Sequence, residues 1–208
     1  MFPNITGNST GASNRLRLYW YAKPYVVTQG WGVFNPFYKT FGWTRHNGED
    51  AKLGVDKYIY APIDGVIART GNQPTGGGIF IGIMTEPQLF ADGEHRVLLD
   101  FLHCKELLKA EGDVVKVGDK IAIGDNTGAA TTGSHTHLQC RRVAFWNKQT
   151  GVDLVWNELD KNDANNSFDP SPYWTGIYAV DYEKWLGLHR ALISILSALV
   201  AALSAKNK

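Results

Sequence analysis

Hydrophobic positions along this chain alternate in short runs over most of its length. They change to a three-and-four spacing only near the C-terminus. Residues 16–27 set Leu16, Leu18 and Trp20 against Arg15 and Arg17, which predicts a first strand segment. Residues 59–68 break at Asp64-Gly65, and 79–84 are a continuous apolar run behind the glycines at 76–78. Residues 96–102 alternate and end at His103, 120–123 lie between two Gly-Asp pairs, and 135–143 read as the last strand of the core. Residues 105–110 read as one helical turn. Short strands at this spacing predict an antiparallel sheet or sandwich.

The pattern turns helical after residue 180. Trp185, Leu188, Leu192, Ile195, Leu199 and Ala202 form a heptad seam flanked by Leu196 and Leu203. No charge falls between Arg190 and Lys206. That stretch is short of the ~20 apolar residues that cross a bilayer. The reading therefore ranks self-association or packing on the domain first, contact with a membrane surface second and a span third, for residues 183–205. The expected division is a flexible arm at 1–14, one domain at 15–150, a linker or extended segment at 151–180, and an apolar or amphipathic helix at 181–208.

Composition narrows this further. At 208 residues the chain can bury one substantial core with extensions. A formal net charge of +1 gives no broad field of the kind that holds nucleic acid. Cys104 and Cys140 have the strand parity opposite to their neighbouring histidines, so both are expected to be buried thiols facing away from any site. The first ten residues lack the basic start and apolar stretch of an export signal. Asp169-Pro-Ser-Pro172 predicts a rigid turn.

Three polar clusters carry candidate chemistry. His135 and His137, two apart in a strand, share one face of a sheet and can share one metal, or divide metal binding and proton transfer between them. His46 and Asp50 offer a nitrogen and a carboxylate around a flexible glycine; with a further histidine they make a three-ligand zinc site with an open position. His103 closes an apolar strand. Parity turns Glu49 away from Asp50, and it is expected to be solvated. Residues 30–42, rich in glycine and aromatics, lead into His46 and fit either a groove wall or a surface loop tucked down by its rings.

These clusters resemble the M23 (LytM/lysostaphin-type) zinc metallopeptidases, which carry H-x-x-x-D, then a strand-ending His, then H-x-H. His46 and Asp50, His103, and His135 and His137 match in that order. Residues 60–67, 115–124 and 126–128 match the family's P-x-x-G-x-V, V-x-x-G-x-x-I-x-x-G and x-T-G segments. Phe101 stands where Tyr is usual, and His-Thr-His-Leu-Gln replaces the common His-Leu-His-Phe-Glu; neither change removes a ligand. The resemblance implies a two-sheet, barrel-sandwich-like antiparallel M23 domain followed here by the C-terminal helix. It implies one Zn2+ on His46, Asp50 and His137, with His103 and His135 catalytic. The implied substrate is bacterial peptidoglycan, cut in stems or cross-bridges at the cell wall. Lacking an export signal, the protein is expected to be phage-delivered or otherwise exported. Other readings are a metal-free binding module, a lipoyl-type carrier hairpin at 115–121, and a structural virion or wall-binding protein assembled through its helix.

Overall fold

The computed structural model describes residues 15–145, 155–156 and 167–206. The expected arm at 1–14 and most of the acidic stretch at 151–166 lie outside the described residues. The strands in chain order are β1 (Leu18–Trp20), β2 (Val27–Gln29), β3 (Glu49–Ala51), β4 (Tyr58–Tyr60), β5 (Gly65–Gln73), β6 (Gly78–Met84) and β7 (Gln88–Phe90). They continue with β8 (Gly93–Leu107), β9 (Val114–Val115), β10 (Lys120–Gly124), β11 (Thr136–Phe145), β12 (Val155–Trp156) and β13 (Trp174–Tyr178), and end in helix α1 (Tyr182–Lys206).

The main sheet runs β2-β3-β11-β8-β6-β5-β9, with neighbouring strands antiparallel. β10 leaves the end of β8 and carries β4. Ile59, Ile121 and Ala122 of this pair share one core with Leu99, Phe101, Leu138 and Cys140 of the main sheet. The fold is the expected mainly antiparallel β architecture with one C-terminal helix. Strand alternation divides the main sheet into two faces. Leu138 and Cys140 of β11, with Leu99 and Phe101 of β8, face the core. His137, Gln139 and Arg141 take the other face, with Leu102 opposite His137 and Asp100 opposite Gln139. Both cysteines are buried free thiols, as expected.

Several local expectations are corrected. The segment 16–27 is two short strands, β1 and β2, parted by a turn. Residues 105–107 extend β8 instead of starting a helical turn, because Leu107 pairs with Ala122 and Glu106 with Ile123; the partner strand overrides local propensity. β11 is not the last strand. Residues 167–179, read above as part of a linker, lie against the domain. The Phe168 amide donates to the Cys140 carbonyl at 2.9 Å, and the Trp31 indole donates to the Ser167 hydroxyl at 2.9 Å. β13 pairs in parallel with β1, and Trp174 packs on Tyr21 and Tyr25.

Glu49 is also corrected. Parity does turn it from Asp50, but the face it enters is the core: it is 3% exposed and accepts a hydrogen bond from the Tyr25 hydroxyl. Burial pushes its carboxyl above the usual range, and the bond from Tyr25 opposes that rise.

Helix α1 leaves this body. Tyr182 in its first turn packs on Tyr19 at 4.7 Å. Further on, Leu188, Leu192, Ile193, Ile195, Leu196, Leu199, Val200 and Leu203 are all more than half exposed. Packing on the domain, one of the outcomes ranked first, therefore does not occur along this stretch. The helical segment Ala179–Ser204 is, by length and composition alone, long and apolar enough to cross a membrane. Charge counting between residues 190 and 206 underestimated it.

If 167–179 belongs to the domain, Trp174→Ala lowers unfolding stability by about 2–3 kcal/mol, as expected for truncating a partly buried aromatic. Urea denaturation followed by tryptophan-independent far-UV circular dichroism reads this directly; an independent linker would give no loss.

Candidate metal centre

The site is assembled by the β3–β11 pairing. Its register sets Asp50 opposite His137, on the face away from the core. His46 comes from the turn before β3. Backbone bonds pin that turn: the Gly32 amide donates to the His46 carbonyl at 2.8 Å, and the His46 amide donates to the Val33 carbonyl at 2.9 Å. Gly48 lies where β11 passes closest. A methyl group there would strike the Leu138 carbonyl oxygen and come within 2.5 Å of His137 Nε2. No side chain larger than hydrogen fits beside the His137 ring.

Three donor atoms meet at one point. His137 Nδ1 lies 2.9 Å from Asp50 Oδ1 and 3.1 Å from His46 Nε2, and His46 Nε2 lies 3.2 Å from the same carboxylate oxygen. Ligands at zinc bond lengths of about 2.0–2.1 Å in a tetrahedron sit roughly 3.3 Å apart, so this triangle fits a zinc-sized ion with little adjustment. Two imidazoles and one carboxylate are also the donor set of zinc sites that keep a fourth position open. His46 Nδ1 donates to the Gly30 carbonyl at 2.9 Å, which fixes the tautomer and leaves the Nε2 lone pair facing the point of convergence. Burial alone would raise the Asp50 carboxyl; the surrounding imidazoles of His135, His137 and His46 outweigh it and hold the group far below the usual carboxylate range. Burial likewise lowers His137.

His135 and His103 join the same cavity. His135 Nε2 is 3.4 Å from Asp50 Oδ1, and its ring lies 4.8 Å from that of His103. Each is oriented by a backbone carbonyl that can only accept. His135 Nδ1 donates to Gly133 at 2.7 Å, and His103 Nδ1 donates to Thr127 at 2.8 Å. Both Nε2 atoms are thereby left to the site. Burial opposes the charged form of His135, but the Asp50 carboxylate raises it overall. Burial, with His137 and His135 nearby, pushes His103 down to about 4, although the Thr127 carbonyl favours its charged form.

Simple alternation would put His103 on the core face with Leu99 and Phe101. It does not lie there, because the chain at His103 takes a left-handed conformation, with φ of 64°. Leu102 and His103 then both line the cavity, while Cys104 returns to the core. Such an irregularity re-aims a side chain beside a site. Thr127 holds it in place: its carbonyl takes the His103 ring proton, its hydroxyl donates to the Cys104 carbonyl at 2.6 Å, and its hydroxyl oxygen accepts from the Ile79 amide at 3.0 Å. Gly128 follows with φ of 88°, in a position where a Cβ would strike the backbone at Gly76 and Gly78.

The cavity is walled by residues the sequence left undecided. Of the loop at 30–42, Asn35, Phe37 and Tyr38 line it together with Trp43, which favours the groove-wall reading. Tyr38 stacks on His46, with ring centroids 5.4 Å apart and planes 13° apart. Its hydroxyl is raised by burial and by the nearby Asp50 charge. Beyond His137 on the same sheet face, fully buried Asp100 accepts from Arg69 Nε and Nη2 at 2.8 and 2.6 Å and from Arg141 at 3.2 Å. Sequence reasoning missed Tyr38, Thr127 and this ionic floor. The floor was marked only by charged residues inside otherwise apolar strands.

The profile of Peptidase family M23 matches residues 44–153, which include all five candidate residues. The chain belongs to peptidase family M23. It is 28% identical over 94 residues to the peptidoglycan DD-endopeptidase ShyA of Vibrio cholerae, covering 45% of this chain and 20% of ShyA. It is 29% identical over 94 residues to an uncharacterized metalloprotease of Haemophilus influenzae, covering 45% of this chain and 18% of that one. The match thus spans about a fifth of the length of these curated relatives. A solved zinc-containing peptidase from Vibrio cholerae superposes with a TM-score of 0.50 at 25% identity, over 62% of this chain and 37% of that one. The catalytic domain of lysostaphin from Staphylococcus simulans gives 0.51 at 24% identity, over 73% and 92% of the two chains, and shows the shared fold.

Two outcomes follow from this geometry. Gly48→Ala displaces the His137 ring and weakens zinc affinity by at least about tenfold, the scale of outer-shell disruptions; competition with a chromophoric chelator measures it, and unchanged affinity would refute the tight fit. The second concerns acid stability of the metal-free protein. His103 ordinarily titrates at 6.5 but is held near 4 when folded, so only the unfolded chain takes up this proton between those values. Its contribution is complete above pH 6.5 and is lost as pH falls towards 4, amounting to about 3 kcal/mol on the linkage scale. Urea titrations across that window should show the decline, reduced in His103→Gln.

Proposed function

We propose that this protein is a zinc metalloendopeptidase that hydrolyses peptide bonds in the stems or cross-bridges of bacterial peptidoglycan. The observation that carries the reading is the convergence of His46 Nε2, Asp50 Oδ1 and His137 Nδ1 within 3.2 Å of one another, beside two further imidazoles. His46, Asp50 and His137 are the metal ligands in this reading. When bound there, zinc supplies a Lewis acid for the scissile carbonyl and makes water nucleophilic near neutral pH.

The chain's own residues do the rest. His103, kept neutral by burial, presents Nε2 as a proton acceptor. His135, its ring 4.8 Å from that of His103, presents Nε2 beside Asp50, placed to steady the developing oxyanion and to hand a proton to the leaving amine. The wall of Phe37, Tyr38 and Trp43 suits an extended peptide laid across the sheet. Family membership, and the likeness to ShyA, support peptidoglycan as the substrate. The place of action is then the bacterial cell wall, reached by phage delivery or by an export route.

The purified protein is expected to hold about one zinc per chain, in line with a three-ligand catalytic site. Lysis of bacterial walls should be lost on chelation, restored by zinc and lost in His137→Ala. Full metal content with no hydrolysis across Gram-positive and Gram-negative walls would favour the structural or wall-binding alternative.

A further inference from the structure

Helix α1 is the largest feature that the proposed reaction does not use. From residue 191 to 205 no side chain carries a charge, and the polar ones are serines. Leu192, Ile193, Ile195, Leu196, Leu199, Val200 and Leu203 cover one broad side, each more than half exposed. The opposite side carries Ala191, Ser194, Ala198, Ala201 and Ala202, small and uncharged. A water-soluble bundle that buried the leucine side would still turn an uncharged outer surface to solvent. A helix lying flat on a membrane needs a strongly polar face, and this one has none over that length. Residues 187–204 are all exposed, and no described residue buries them.

We infer that α1 inserts into a lipid bilayer and spans its hydrocarbon core, tethering the peptidase domain at the membrane surface. The dimensions agree. Residues 191–205 are about 22 Å long as a helix. Helical side chains lean towards the N-terminus, so Arg190 can reach back to the headgroups and let Leu186 and Leu188 enter the apolar layer. Residues 186–205 then give about 30 Å, the thickness of a bilayer core. Tyr182 and Trp185, stacked with centroids 6.1 Å apart, fall at the interface, where amphipathic rings concentrate. Lys184 and Arg190 at the same end match lipid phosphates, and the next charge along the sequence is Lys206. The domain and the C-terminal end of α1 lie on opposite sides of the bilayer.

The test reconstitutes the full chain from detergent into phosphatidylethanolamine–phosphatidylglycerol vesicles, followed by flotation. The expected result is co-flotation that survives molar salt and an alkaline carbonate wash. The double variant Leu196→Asp/Leu199→Asp should lower that washed fraction by at least about tenfold, with unaltered thermal unfolding of the β domain. Release by salt or carbonate, which means surface contact only, would overturn the inference. So would recovery away from lipid as a soluble oligomer or a pellet, or equal flotation of the double variant. Zinc binding and wall hydrolysis play no part in this readout, so it stands apart from the proposed activity.

Discussion

The register between β3 and β11 governs everything else in this molecule. Pairing His137 with Asp50 places an imidazole and a carboxylate side by side on one face of an antiparallel pair, where opposed side chains stand closest. A slip of one residue would send Asp50 to the core and bring Glu49 to the site. That slip is resisted by the core itself. Leu138 is fully buried behind His137, and Glu49 is locked under the sheet by Tyr25. The burial of apolar residues on one face thus fixes polar geometry on the other.

Around that pairing, the protein repeatedly uses backbone carbonyls to aim imidazoles. Gly30, Thr127 and Gly133 each accept a ring proton, from His46, His103 and His135 respectively. Backbone carbonyls do not titrate, and each of these holds a ring Nδ1–H so that Nε2 faces the site. Burial lowers both His137 and His103, so His137 keeps an unprotonated nitrogen at the point of convergence and His103 stays neutral beside it.

Much of this was legible in the sequence for an identifiable reason. Strand alternation correctly put His137 and Asp50 on the non-core face and Cys140 on the other, because period-two parity survives wherever a strand is regular; Cys104 reaches the core only past the break at His103. It could not reach His103, whose presence in the cavity depends on a left-handed residue that breaks parity. Spacing also could not reveal that the Thr127-Gly128 pair, read only as part of an x-T-G segment, is the bracket that holds His103. Glu49 shows the complementary error: its direction was right, but what lay there depended on Tyr25 and Trp174, distant in sequence. The same long-range packing turned residues 167–179 from an apparent linker into part of the domain. The helix was visible as a helix; its bareness could be seen only once the rest of the chain was in place.

The central claim is that one zinc ion is held by His46, Asp50 and His137. Zinc-edge anomalous diffraction from crystals grown with the metal tests it most directly. The account requires one anomalous peak about 2.0–2.2 Å from His46 Nε2, Asp50 Oδ1 and His137 Nδ1. A peak elsewhere, or zinc-saturated protein with no peak between those three atoms, would contradict it.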